Sequence, residues 1–154
     1  MDDFSIARAL HILAIVLWVG GVGFVTTAAT PAIRADYPPP ERLAAFHRFE
    51  RKFVSQARFW VALAGASGLW MVWRGDLWAR YLDARFWWMH AMAALWLIFM
   101  LMLFVIEPFV LHRRFVGSAS PEKDFDRLET MHRILLTLLV ITIGGAALGS
   151  RGAI

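Results

Sequence analysis

An all-α integral membrane fold, a four-helix bundle of up-down topology, is what the sequence predicts, and three observations predict it. Apolar residues fall into runs of about 20, the length that crosses a hydrocarbon core of roughly 30 Å. Of the 154 residues, 59% are hydrophobic and 18% charged, against a soluble average of about 25% charged. Period-two alternation, the mark of a membrane barrel strand, is absent. Each run is therefore expected to be an α-helix, which satisfies its own backbone polar groups in lipid. The runs lie at about 9–29, 53–73, 86–111 and 134–149. They are expected to form a single domain over 1–154, since no span buries its polar groups alone.

The first run opens Arg8-Ala9-Leu10-His11 and is interrupted by one ionisable side chain, His11. An intramembrane ionisable residue needs a partner and points to a functional site. The acidic start (Asp2, Asp3), the length of the run and the lack of a small-x-small cleavage site argue for a retained helix over a signal peptide. Span one should end near Pro31. Pro38-Pro39-Pro40 then predicts an extended, stiff connection. From Glu41 onward, Leu43, Phe46, Phe49 and Phe53 recur at steps of three and four, with bases facing elsewhere. That is an amphipathic extension of span two over about 41–52.

Span two carries Ala62, Gly65, Ala66 and Gly68, small residues that permit close approach of a helix or a flat ligand. Trp70, Trp73 and Trp78 suit the interface that follows. A short connection, 74–85, makes spans two and three antiparallel neighbours. Span three runs from Phe86 to Glu107-Pro108, where a kink is expected. Glu107 is read as a helix-end carboxylate near Arg113 or Arg114. Ser120-Pro121-Glu122 predicts the start of the last helix, which carries Gly144 and Gly145.

A net charge of +4 does not mark a nucleic-acid binder, because the bases sit in loops. Arg34, Arg42, Arg48, Arg51, Lys52 and Arg58 lie between spans one and two, and Arg113, Arg114, Lys123, Arg127 and Arg133 between three and four. Arg8, Arg74, Arg80, Arg85 and Arg151 are left for the other side. The positive-inside rule then places both termini outside and both basic loops in the cytoplasm, in the inner membrane if the source is bacterial. Zero cysteines exclude disulfides, thiolate metal sites and covalently attached c-type haem.

Up-down topology puts His11 and His90 at matched depth in the outer half, on spans one and three. Two imidazoles facing across a bundle suit noncovalent haem b, with His11 and His90 as axial ligands and the metal site. Arg8 and Arg85, near the same helix ends, are candidates for propionate pairing. His47 and His132 form a second inner pair, so one haem or two are expected. His112 reads as a solvated residue. Met89, Met92, Met100 and Met102 make copper the alternative cofactor, because thioethers are soft ligands.

Ala9-Leu10-His11-Ile12 with Trp18 and Gly21, Glu50-Arg51-Lys52, and Trp88-Met89-His90-Ala91 resemble the helix motifs of the HemJ-type protoporphyrinogen oxidases and the related CopD-type membrane domains. The resemblance touches three of four spans and implies a small haem b protein with His11 and His90 as functional histidines. It departs where the HemJ pattern has a lysine and this chain has Met92, and in the acidic-proline element of the last helix. The expected function is a membrane haem b protein with a redox or electron-transfer role, linked to quinone or another membrane redox partner. The alternatives are a protoporphyrinogen oxidase and a CopD-like copper-binding or transport protein. If the chain is an enzyme, it is an oxidoreductase. A homodimer through the Gly/Ala face of span two or four is a further expectation, with the lipid bilayer as the general partner.

Overall fold

The computed structural model describes residues 2–111 and 118–149. His112, Arg113, Arg114 and Arg151 lie outside the described residues. The chain is an all-α, membrane-spanning helical protein. Its described α-helices are α1 (Asp3–Phe24), α2 (Thr30–Asp36), α3 (Pro39–Arg74), α4 (Trp87–Leu101) and α5 (Pro121–Gly149). Among the described residues, three segments are long and apolar enough to cross a membrane: Asp3–Asp36, Ala84–Glu107 and Pro121–Gly149. Five described α-helices with three membrane-length segments replace the expected up-down four-helix bundle. The second apolar run belongs to the 36-residue α3. Arg58 and Arg74 bracket that run and keep it less hydropathic than the other three.

Span one does not stop at Pro31. The backbone widens into a π-helical turn over Val25–Ala29 and continues as α2. Threonine hydroxyls take up the carbonyls there: Thr26 donates to Val22 O (2.7 Å), Thr27 to Gly23 O (2.8 Å) and Thr30 to Val25 O (2.8 Å). Hydroxyls of this kind let a proline persist in a membrane helix. The triple proline is likewise not wholly extended. Pro38 is the extended cap (φ −63°, ψ 150°), while Pro39 and Pro40 open α3, where a missing N–H costs nothing. A second π-helical stretch, Met102–Leu111, stands where the sequence predicts a kink at Pro108.

Short 3₁₀ turns, Leu77–Leu82 and Ala84–Phe86, join α3 to α4. Two exposed carboxylates serve as caps near this end. Asp2 accepts from Ser5 N (2.6 Å) and Asp83 from Arg85 N (2.9 Å). The Ser5 backbone N–H holds Asp2 below the ordinary carboxylate range, and the Arg85 side chain does the same for Asp83. Their contribution to stability is thus present above the ordinary carboxylate pKa and is lost as pH falls through the depressed values.

Packing is densest where α1 lies along α3, with α5 against both α3 and α4. Ala14, Trp18, Val22, Val61, Ala64, Phe99 and Leu135 form the central core. Phe46, Phe125 and Leu128 build a second cluster at the proline end, and Val72, Trp88 and Met89 a third at the N-terminal end. Glycines receive aromatic rings at the helix crossings. A Cβ on Gly65 would lie 2.3 Å from the Trp96 ring, and one on Gly145 2.5 Å from Trp87. Gly65 and Gly68 of span two are thereby covered by α4 and α1, while Ala62 and Ala66 are exposed. Ile12, Val16, Leu97, Ile134 and Val140 are exposed and suit a lipid-facing surface.

Candidate functional site

The histidines do not assemble as the sequence predicts. His11, on α1, turns to α3: its Nδ1–H donates to Ala64 O (2.8 Å), with Ser67 Oγ at 3.2 Å. The ring lies over Gly68, whose missing side chain makes the space (3.0 Å from an added Cβ to His11 Cε1). Ser67 in turn donates to Leu63 O. His11 is therefore a clasp between α1 and α3. His11→Leu is expected to lower stability by about 1 kcal/mol, since it strips a part-buried hydrogen bond between α1 and α3 while Ser67 Oγ still donates to Ala64 O. Unfolding in mixed micelles checks it, with His11→Asn partly restoring the bond.

His90 is exposed and faces the 3₁₀ connection. Its Nε2 lies 2.9 Å from Tyr81 O and its Nδ1 3.2 Å from Phe86 O. Both ring nitrogens lie against backbone carbonyls of the same chain, so neither faces a partner imidazole across the bundle as an axial ligand would. The inner pair fares no better. His47 Nδ1 lies 3.1 Å from Glu50 Oε2, and His132 Nδ1–H donates to Leu128 O (2.8 Å). The buried Phe46 ring meets both imidazoles edge-on, at 5.9 and 5.5 Å between centroids, and takes up the space beside them. Arg85 forks onto Asp83 (2.7–3.2 Å), while Arg8 is exposed on α1.

Haem b, as one group or two, is accordingly withdrawn, and so is copper. Among the described residues no three His, Cys, Asp or Glu side chains gather as a metal site, and the chain has no cysteine. The methionines are divided as well: Met89 and Met92 pack in the N-terminal-end cluster, Met100 and Met102 against the central core.

What the fold does assemble is a cavity of about 60 Å³ between the central core and the proline end. Trp18 and Val22 come from α1, Phe49, Glu50, Phe53 and Val54 from α3, Phe99 from α4 and His132 from α5. Both π-helical segments reach it, through Val25 and through Met102 and Leu103. Trp18 is 5% exposed, and its indole N–H has no hydrogen-bond partner among the described residues. A buried indole N–H ordinarily finds an acceptor. The cavity thus pairs an unused donor with two titratable side chains in an apolar wall. Since His132 donates through Nδ1, a neutral ring keeps Nε2 as an acceptor.

Sequence reasoning overlooked Trp18 as a polar group and Glu50 as a partner of His47. The spacing of His47 and Glu50, one helical turn apart, was the signal for the second. Glu107 pairs with Arg58, which also donates to Leu103 O (2.9 Å) and lies 5.9 Å from the Phe104 ring centre. The pair carries a cation of α3 into the apolar region with its counter-charge supplied by the second π-helical stretch. Comparison with family models, with curated proteins and with solved structures finds no match to this chain.

Proposed function

We propose that this protein is a quinone-linked redox protein of the membrane, in which the quinone–quinol pair carries the redox change and no bound metal takes part. In this reading the less hydropathic α3 is also a crossing, so the chain forms one membrane unit with both termini outside and the basic segments at the cytoplasmic face. Electrons pass to or from a membrane redox partner, and the chain's own residues bind and orient the head group. The observation that carries the reading is the buried indole N–H of Trp18, without a partner among the described residues, on a side chain that lines a cavity together with Glu50 and His132. A quinone oxygen accepts from the indole, and a quinol hydroxyl donates to the Glu50 carboxylate or to His132 Nε2.

The test is titration of the protein in lipid nanodiscs with a decyl-tailed benzoquinone, following tryptophan quenching. Saturable quenching is expected, with Trp18→Phe weakening binding by about tenfold or more. That is the scale set by roughly 1–3 kcal/mol for a buried oxygen left without its donor. Quenching that rises without saturation, alike in both proteins, overturns the reading.

A further inference from the structure

Next to the cavity, on the lipid-facing side of α1 and α2, runs an apolar groove of about 390 Å³. Phe24, Ala28, Ala32, Tyr37 and Ala45 line it, and Phe49 belongs to its wall and to the wall of the cavity alike. Phe49 is 36% exposed and leans on Phe24, with ring centres 6.1 Å apart. A cavity of about 60 Å³ is under half the roughly 150 Å³ that admits a benzene ring. A head group therefore enters only if a wall moves. Phe49 lines both spaces at the margin of the core, and the ring it leans on, Phe24, is more exposed still, at 56%.

We propose that Phe49 is the gate of a lateral portal, and that the alanine-lined groove holds the alkyl or isoprenoid tail of the ligand whose head group occupies the cavity. This rests on the quinone reading. Rotation of Phe49 toward the groove mouth joins the two spaces, so a bilayer-dissolved amphiphile reaches Trp18 without crossing water. Ala28 and Ala32 leave the groove shallow enough for a methylene chain, and both are exposed. The tail gains little hydrophobic energy there, because lipid is as apolar as the groove. Its effect is on the route, hence on rates.

The experiment uses the full chain in nanodiscs and two probes, a decyl-tailed benzoquinone and the same ring without a tail. Association and dissociation are followed by the Trp18-dependent quenching. Phe49→Ala is expected to speed both rates several-fold for both probes. Ala28→Phe with Ala32→Phe, at exposed positions that the fold does not use, is expected to slow the tailed probe about tenfold and leave the other unaffected. Unchanged rates in Phe49→Ala overturn the gate, and equal slowing of both probes by the groove variant overturns the tail site. In either case wild-type binding still upholds the quinone reading. Failure of both probes to bind the wild-type protein overturns the reading and the portal together.

Discussion

Glu129→Ala is expected to lower the unfolding free energy by about 2–3 kcal/mol and to loosen the proline end of the molecule. Glu129 is buried on α5 between two cations, pairing with Arg34 of α2 and with Arg133 one turn along its own helix. Arg34 also reaches Asp126 (2.6 Å) and lies over the Phe125 ring (5.3 Å). Arg42 of α3 donates to Arg34 O (2.9 Å), so the cluster ties three helices. Removing one partner of a buried pair typically costs about 3–5 kcal/mol, because the remaining charge stays desolvated. Here Arg34 is half-exposed and keeps Asp126, which moves the expectation to the lower end. Reversible unfolding in mixed micelles measures it. The double variant Arg34→Met with Glu129→Leu should recover most of the loss, since two apolar side chains of similar volume leave no stranded charge. A Glu129→Ala protein as stable as the parent would show that the pair contributes nothing net.

Gly65→Leu is expected to be about as damaging, for a steric reason. An added Cβ alone would sit 2.3 Å from the Trp96 ring, and leucine adds three more carbons. Trp96 cannot withdraw freely, because its indole N–H donates to Val61 O at 2.9 Å. Overpacking costs about 1–3 kcal/mol, and the lost hydrogen bond adds about 1 kcal/mol. The loss should be accompanied by a red shift in tryptophan emission as the ring leaves the α3–α4 contact. Gly144→Leu is the matched control. No atom lies within 4 Å of a Cβ placed there, and leucine is the better helix former, so stability should hold or rise slightly. Equal effects at the two glycines would contradict the packing described.

The contacts at Gly65 and Gly145 also bear on self-association. Of the small residues on α3 and α5 that the sequence offers to a second copy, these two are already filled, by Trp96 and Trp87 from the same chain. Ala62, Ala66 and Gly144 are left open.

The amino-acid sequence by itself determined the all-α membrane class, because hydropathy over about 20 residues and the need to satisfy every backbone group in lipid leave one regular structure. It also located His11 as a polar group requiring a partner. Which partner was a tertiary matter. The depth of His11 and His90 is set by position along the helix, but the direction of each ring depends on helix rotation. His11 turned to the Ala64 carbonyl and His90 to that of Tyr81, and with that the haem assignment fell. Span two misled for a related reason: its hydropathy is diluted by Arg58, a charge made tolerable by Glu107 some fifty residues away. The cavity is less legible still, since its walls come from α1, α3, α4, α5 and two π-helical turns. Local pattern sets what each helix is made of; the rotation and crossing of helices, fixed by contacts distant in sequence, left the Trp18 indole N–H buried without a partner among the described residues.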